Sequence, residues 1–349
     1  MIDLNRKLPI GIQTFEKIRK GNYLYVDKTA LVGKMVSTSI PYFLSRPRRF
    51  GKSLLISTFE AYFLGRKDLF EGLAISQMEV DWQVYPVFHI DLNARKYDSP
   101  ADLIAMLNQH LEKWEAIYGT EKQDRQPEER FAYIIERACV QTGKQVVVLV
   151  DEYDKPLLQA LNDISMKPPY ATICGITKQE LIDTFTPELD KLASYNRMTP
   201  EDTIHKMTSL YDGYHFCEYA EGMFNPFSVL NVFDGYKFEN YWFQTGTPTF
   251  LVKMLMDSNY DLRTLIDGVE ANAASFNEYR VESRNPIPLI YQSGYLTIKE
   301  YDPRFKTYQL AFPNDEVRYG FMNFLLPFYS NIPDNEQDFY IGKFVHELE

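Results

Sequence analysis

Long apolar runs are missing from this sequence. No stretch is long enough to cross a bilayer, and the opening MIDLNRKLPIGIQTF has no apolar core of the signal-peptide kind. The expectation is a cytoplasmic chain with no membrane association. Cysteine is scarce: Cys139, Cys174 and Cys217 are odd in number and lack metal-type spacing, which excludes a disulfide framework and argues for a reducing compartment. Positive charge is short as well, with 37 Lys and Arg against 48 Asp and Glu, a net charge of −11. That balance excludes wholesale coating of nucleic acid or anionic lipid while leaving room for one local basic patch. Low-complexity segments and fixed-period repeats are absent too. What remains is a chain of 349 residues, 45% of them hydrophobic, enough for a real core and for two or three domains.

Periodicity places the elements. Residues 28–37 read as an amphipathic helix and IPYFLS (40–45) as a strand. Leu54, Leu55, Phe59 and Phe63 recur at helical spacing and predict a helix from Lys52 to Phe63. YPVFHIDL (85–92) is a second strand, and helices are predicted over 101–116 and 127–141. QVVVLVDEYD (145–154) is a nearly unbroken β-branched run, the pattern of a strand buried on both faces. Strands alternating with helices predict an α/β fold with a parallel sheet flanked by helices.

Between the first strand and its helix stands RPRRFGKSLL, which ends its turn in Gly51-Lys52-Ser53. The triplet alone is weak evidence, and its context is what strengthens it. A loop that follows a strand and opens a helix presents backbone amides and the helix dipole to incoming phosphates. Lys52 is then expected to reach the β and γ phosphates of ATP, and the Ser53 hydroxyl to ligate Mg²⁺. Arg48, Arg49, Phe50, Gly51 and Leu54 complete the candidate nucleotide-binding set. About a hundred residues on, VVVLVDE supplies carboxylates: Asp151 for the Mg²⁺ shell and Glu152 to orient and deprotonate water. The competing reading is a basic surface turn and an unrelated acidic strand end. Asp91, closing VFHIDL, is expected at the same sheet edge, where a cap or loop hydrogen bond is the commoner fate, and it stays outside the catalytic set.

The segments LPIGIQTFEKIRKGNYLYVDKTALV, RPRRFGKSLL, VVVLVDEYDKPLL, NDISMKPPYATICGIT, YDGYHF, FNPFSVLNVF and WFQTGTPTFL resemble a bacterial AAA-ATPase-like family. Its members are often fused to a C-terminal nuclease of the PD-(D/E)XK type. The family's phosphate loop commonly reads R-P-R-R-F-G-K-S, which implies that Arg46 and Pro47, where glycine normally opens such a loop, are a family trait. Two departures stand out. Family members usually have several dozen residues between the DEYDKPLL segment and NDIS, including a strand resembling F-L-T-G-V-[ST]-K-F. Here Leu158-Gln159-Ala160-Leu161 runs straight into Asn162-Asp163-Ile164-Ser165, and the residues show no convincing strand there. In related ATPases that strand carries the polar residue that senses the γ-phosphate, so its loss bears on hydrolysis more than on binding. The chain also stops at Phe344-Val345-His346-Glu347-Leu348-Glu349 with no PD-(D/E)XK core, so no nuclease activity is expected and the chain looks truncated beside fused members.

The expected layout is a P-loop core over 1–161, a helical lid region over 162–270, and a winged-helix-like α+β unit over 271–349. TKQELIDTFTPELDKLASYN and PEDTIHKMTSLYDGYHF read as helices, the second ending at a Gly213 turn, and Asn225-Pro226 as a helix start. YLTIKEYD and TYQLAFP alternate around DPRFK, a β-hairpin. Its functional reading is DNA contact through Arg304 and Lys306; the blander one, an interdomain spacer, is favoured because few basic residues stand there. The resemblance makes YDGYHF a lid element, while the residues equally allow a turn packed by its tyrosines. Arg197 reads as an exposed helix-end residue, and His205 and His215 as structural. Three functions stay open: an ATPase coupling nucleotide state to lid and winged-helix movement, an ATP-binding switch or degenerate remnant, and a DNA-binding module on a P-loop scaffold. A homo-oligomer is expected if catalysis needs a neighbour's arginine.

Overall fold

The computed structural model describes residues 7–38, 40–92, 100–151, 162–243, 251, 254, 255, 260, 263–272 and 285–329. In chain order the elements used below are α1 (Phe15–Lys20), α2 (Thr29–Val36), β1 (Tyr42–Phe43), α3 (Lys52–Phe63), β2 (Val87–Asp91), α4 (Pro100–Tyr118), α5 (Pro127–Thr142), β3 (Val147–Asp151) and β4 (Asn162–Asp163). There follow β5 (Ile176–Thr177), α6 (Lys178–Asn196), α7 (Pro200–Tyr211), β6 (Met223–Phe224), α8 (Pro226–Gly235), α9 (Arg263–Asp267) and β7 (Val269–Asn272). The last are α10 (Ile287–Gln292), β8 (Thr297–Asp302), β9 (Thr307–Ala311) and α11 (Asp315–Tyr329). The chain packs as two compact units, one drawn from 1–11, 41–51 and 161–349, the other from 12–40 and 52–160. One boundary falls between 160 and 161, beside the break expected at 161; none falls at 270, and residues 1–11 and 41–51 group with the later part of the chain. The chain passes from one unit to the other between Gly51 and Lys52, inside RPRRFGKSLL.

In the unit of 12–40 and 52–160, β2 and β3 pair in parallel, from Val87 opposite Val147 to Asp91 opposite Asp151. Strand alternation sorts their side chains onto two faces. Phe88 lies in a buried cluster with Leu111, Trp114, Ile134 and Ala138 of α4 and α5, its ring 4.5 Å from that of Trp114. The opposite face carries His89, Asp91, Leu149 and Asp151, and α3 packs there with Leu55 and Phe59 buried. Helices thus cover both faces of this parallel pair, as the alternating pattern predicts. One expectation needs correction: β3 is not buried on both faces along its length, because Val148 is 41% exposed. The helical cover is centred on Phe88 of β2 and leaves the neighbouring valine at its margin.

α4 and α5 are joined by a buried ion pair. Arg130 Nε and Nη2 donate to the two Glu115 carboxylate oxygens at 2.7 and 2.8 Å, and Nη1 donates to Asn108 Oδ1 at 2.7 Å. α5 opens on Pro127, whose missing N–H costs nothing in a first turn, and closes on Gly143 at φ 66°.

In the other unit, β1 pairs in parallel with β4, Tyr42 opposite Asn162 and Phe43 opposite Asp163. IPYFLS is therefore a two-residue strand and not six. The ladder stops because the Ser45 amide donates to Ser165 Oγ at 2.7 Å instead of to a strand carbonyl. β4 also corrects the expectation of no strand before the helical half: a short one forms within NDIS itself. α6 starts on a capping box, Thr177 and Glu180 each accepting from the other's backbone amide. It kinks at Phe185, two residues before Pro187. Asn225 caps α8 by accepting from the Phe227 and Ser228 amides at 2.9 and 3.3 Å, as its sequence predicts. The predicted hairpin is β8–β9, and β7 adds to β9 as a third antiparallel strand, giving the order β7–β9–β8. Gly213, at φ 89°, has no alternative: a Cβ there would stand 2.2 Å from the Pro313 carbonyl oxygen.

Candidate functional site

Loop residues 46–51 belong to the first-named unit, and Arg46 to Phe50 each pack on an aromatic or glycine partner from beyond residue 161. Arg46 is 4% exposed, and its guanidinium donates to the carbonyls of Ser45, Ser165 and Tyr170 at 2.8, 2.7 and 2.9 Å. It also lies 4.2 Å from the ring centre of Phe216. Pro47 packs against Gly294, where a Cβ would come within 2.5 Å of the proline ring. The Arg48 guanidinium stacks 4.6 Å over Trp242, whose Nε1–H donates to the Arg48 carbonyl at 3.2 Å. Burial pulls the pKa of both arginines below the usual guanidinium value, yet an arginine remains charged at any physiological pH. Phe50 is buried between Tyr214 and Phe216, ring centres 4.7 and 5.3 Å away, and its carbonyl accepts from the Gly175 amide at 3.3 Å.

Arg49 differs from its neighbours. It is exposed, 5.0 Å from the Phe227 ring, and holds a left-handed φ of 68°. Gly51 follows at φ 91° with nothing within 4 Å of where a Cβ would point. Glycine is required there by conformation, and the space in front of it is open. The loop is thus anchored on one side by Arg46, Arg48 and Phe50, with Arg49 and Gly51 on the open side.

Lys52, Ser53 and Leu54 open α3 in the second unit, all half-buried. α3 runs antiparallel to β2. At its far end the Phe63 carbonyl accepts from the Tyr85 amide at 2.8 Å, ahead of β2, and one turn earlier Glu60 Oε2 accepts from His89 Nδ1 at 3.1 Å. The start of α3 therefore lies at the end of β2 and β3 where Asp91 and Asp151 stand as register partners. Asp151 is buried and Asp91 exposed. His89 has its pKa raised, chiefly by the hydrogen bond to Glu60 and further by the charges of Asp151 and Asp91, against the opposing effect of burial. Glu152 lies outside the described residues. Among the described residues no group of three His, Cys, Asp or Glu side chains is placed to hold a metal ion.

Away from these positions, Arg197 is an exposed residue at the left-handed end of α6. Burial lowers the pKa of the His215 imidazole. In YDGYHF, Tyr214 and Phe216 pack on Phe50, and the Tyr211 hydroxyl donates to the Glu239 carbonyl at 3.0 Å. The motif is both a tyrosine-packed turn and a direct neighbour of the loop. Sequence reasoning passed over Arg46 as an anchor, Trp242, and the Glu60–His89 pair. The last had a signal: alternation in VFHIDL puts His89 on the face of Asp91. The first two had none, since the contacts of Arg46 with Ser165, Tyr170 and Phe216 and of Trp242 with Arg48 span more than a hundred residues.

The model of a family described as AAA-ATPase-like, a predicted AAA-ATPase, matches residues 9–179. A relative from Azotobacter chroococcum mcd 1, the "uncharacterized protein in vnfD 5′region", is 33% identical over 370 residues, which cover 90% of this chain and 68% of the relative. The chain belongs to the AAA-ATPase-like family. The matched stretch of 370 residues exceeds the 349 of this AAA-ATPase-like chain, so the relative carries residues within it that this chain lacks. No solved structure matches. The family match takes in the loop, α3, β2 and β3, and ends as α6 begins. It supports nucleotide binding, and mixed helices with small parallel sheets agree with an α/β fold.

Proposed function

We propose that this AAA-ATPase-like chain binds ATP together with Mg²⁺ and hydrolyses it. The observation that carries the reading lies within one unit: α3 begins at Lys52-Ser53 and runs antiparallel to β2, so its positive end faces the edge where Asp151 closes β3. The residues fit a magnesium nucleotide. Gly51 has open space before it, and Ser53 and Asp151 offer the oxygen ligands that a magnesium ion takes beside water and phosphate oxygens. Lys52 neutralises phosphate charge, Ser53 and Asp151 hold the ion, and Glu152 accepts the proton of the attacking water. The bound magnesium nucleotide supplies the phosphoanhydride to be cleaved. Arg48, stacked on Trp242, is an anchor in this reading, and the exposed Arg49 is the loop arginine assigned to phosphate.

Equilibrium binding of labelled ATP and phosphate release, for the wild type beside Lys52→Ala and Glu152→Gln, test the assignment. Loss of binding in the first and of turnover in the second is the expected pair of results. Unchanged affinity in Lys52→Ala would remove the site. A second reading, ATP binding without turnover, is favoured by the direct junction of Leu161 with Asn162, where β4 takes only two residues. Turnover that vanishes in Glu152→Gln would exclude it. The β7–β9–β8 sheet supports a winged-helix-like reading of the last region. α10 buries Ile287, Pro288 and Ile290, and Glu300 and Asp302 are exposed near the hairpin tip, so a spacer is favoured over a DNA contact.

A further inference from the structure

We propose that Trp242 is a positioning residue for the phosphate loop, fixing through Arg48 the shape in which the loop receives a polyphosphate. The inference rests on the nucleotide reading above. Glycine-opened phosphate loops draw their shape from their own backbone; here the opening position is arginine, and the shape is imposed from outside. Trp242 makes two contacts to one residue of the loop. Its indole N–H donates to the Arg48 carbonyl at 3.2 Å, which orients the peptide joining Arg48 to Arg49, and its ring lies under the Arg48 guanidinium at 4.6 Å. The next residue is the strained one: Arg49 holds φ 68°, a region costly for a side chain with a Cβ. The carbonyl bond therefore acts where the loop has most reason to relax.

The indole itself is rigidly held. Trp242 is 0% exposed, its backbone amide donates to Glu316 Oε1 at 2.7 Å, and its ring meets Tyr295 edge-on at 5.2 Å. Gly294, pressed on Pro47, would bring a Cβ within 3.5 Å of the same indole, so the turn before Tyr295 closes on both the loop and its anchor. A polyphosphate drawing the loop amides toward itself must displace the Arg48–Arg49 peptide or find it already set. A preset peptide contributes affinity without touching the ligand.

Trp242→Phe keeps an aromatic ring under Arg48 and removes the N–H donor. Weakening of MgATP binding by about three- to tenfold, the scale of one lost hydrogen bond, is expected, alongside a lower melting temperature from the space the smaller ring leaves. Tyr295→Phe, which removes a buried hydroxyl from the adjoining ring, serves as the packing control and should leave the affinity within about twofold. A second measurement does not depend on either variant folding. Wild-type protein labelled with 5-fluorotryptophan has three resonances, from Trp82, Trp114 and Trp242. Addition of MgATP should shift that of Trp242, and the shift should be absent in Lys52→Ala. Wild type that binds MgATP, loses it in Lys52→Ala, and shows neither a Trp242 shift nor a weaker Trp242→Phe overturns the positioning role alone. Wild type that does not bind MgATP overturns the nucleotide reading and this inference with it.

Discussion

Buried charge is the feature of single side chains that most shapes this protein. Arg46 stands where a small residue would be expected, and its cost of burial is offset by three carbonyl acceptors and an aromatic face. Glu316 is the opposite case, an acid 1% exposed whose carboxylate accepts from the Trp242 amide and the Ser228 hydroxyl, both at 2.7 Å. Burial outweighs those donors and pushes its pKa up from 4.5 to about 7. The folded chain then holds a proton that the unfolded chain releases. Stability contributed by this group is fully present below about pH 4.5 and falls as pH rises toward 7, by an upper bound of about 3 kcal/mol. Glu316→Gln keeps an acceptor for Trp242 and can donate to Ser228, so it should lose this pH dependence. Melting curves of both proteins at pH 5 and pH 8 should show a gap in favour of the variant that appears only at the higher pH. Parallel pH profiles would show that Glu316 is ionised in the fold.

Helices and long strands were legible from periodicity, and the reason is local. α3 over 52–63 follows from four apolar residues at helical spacing, α8 from Asn225-Pro226, and the β8–β9 hairpin from alternation around DPRFK. The two-residue strand β1, the pairing of β7 with β9, and the docking of RPRRF on Trp242, Tyr214 and Phe216 were not legible. Each is decided by partners at large sequence separation, such as Ser165 taking the Ser45 amide, and leaves no local pattern. Within the candidate site the same division holds: strand–turn–helix order located Lys52 and Asp151, while the loop's anchoring needed the structure. The α4–α5 pair shows how a link between elements can be tested. Arg130 grips Glu115 with two bonds, both side chains under 9% exposed. Arg130→Met leaves Glu115 and Asn108 without their shared donor, so a loss of about 3 kcal/mol is expected. Replacing both, Arg130→Met with Glu115→Leu, should recover most of it, because the pair's desolvation penalty disappears with the pair. A double variant as unstable as the single one would mean that the ion pair itself holds the helices together.

The division of the whole chain at Gly51 and Lys52 has a thermodynamic consequence. Residues 46–51 belong to one compact unit, and Lys52, Ser53 and Asp151 to the other. A ligand that binds the folded chain and not the unfolded one stabilises it by mass action. At a free concentration a hundred times its dissociation constant, the gain is about 2.7 kcal/mol. In a chain of this size that corresponds to a rise in melting temperature of about 3–6 °C if unfolding is a single transition. The two-unit packing makes a further distinction available. In a calorimetric trace with two transitions, the transition that MgATP raises identifies the unit that holds the binding residues. Movement of one transition alone would assign the binding residues to that unit, and the other half of the proposed set would have to be given up. Lys52→Ala should abolish the shift without lowering the ligand-free melting temperature by more than about 1 °C, since a half-exposed lysine at a helix start contributes little to the fold. A melting temperature indifferent to millimolar MgATP in the wild type would leave this family member without its nucleotide, whatever its loop spells.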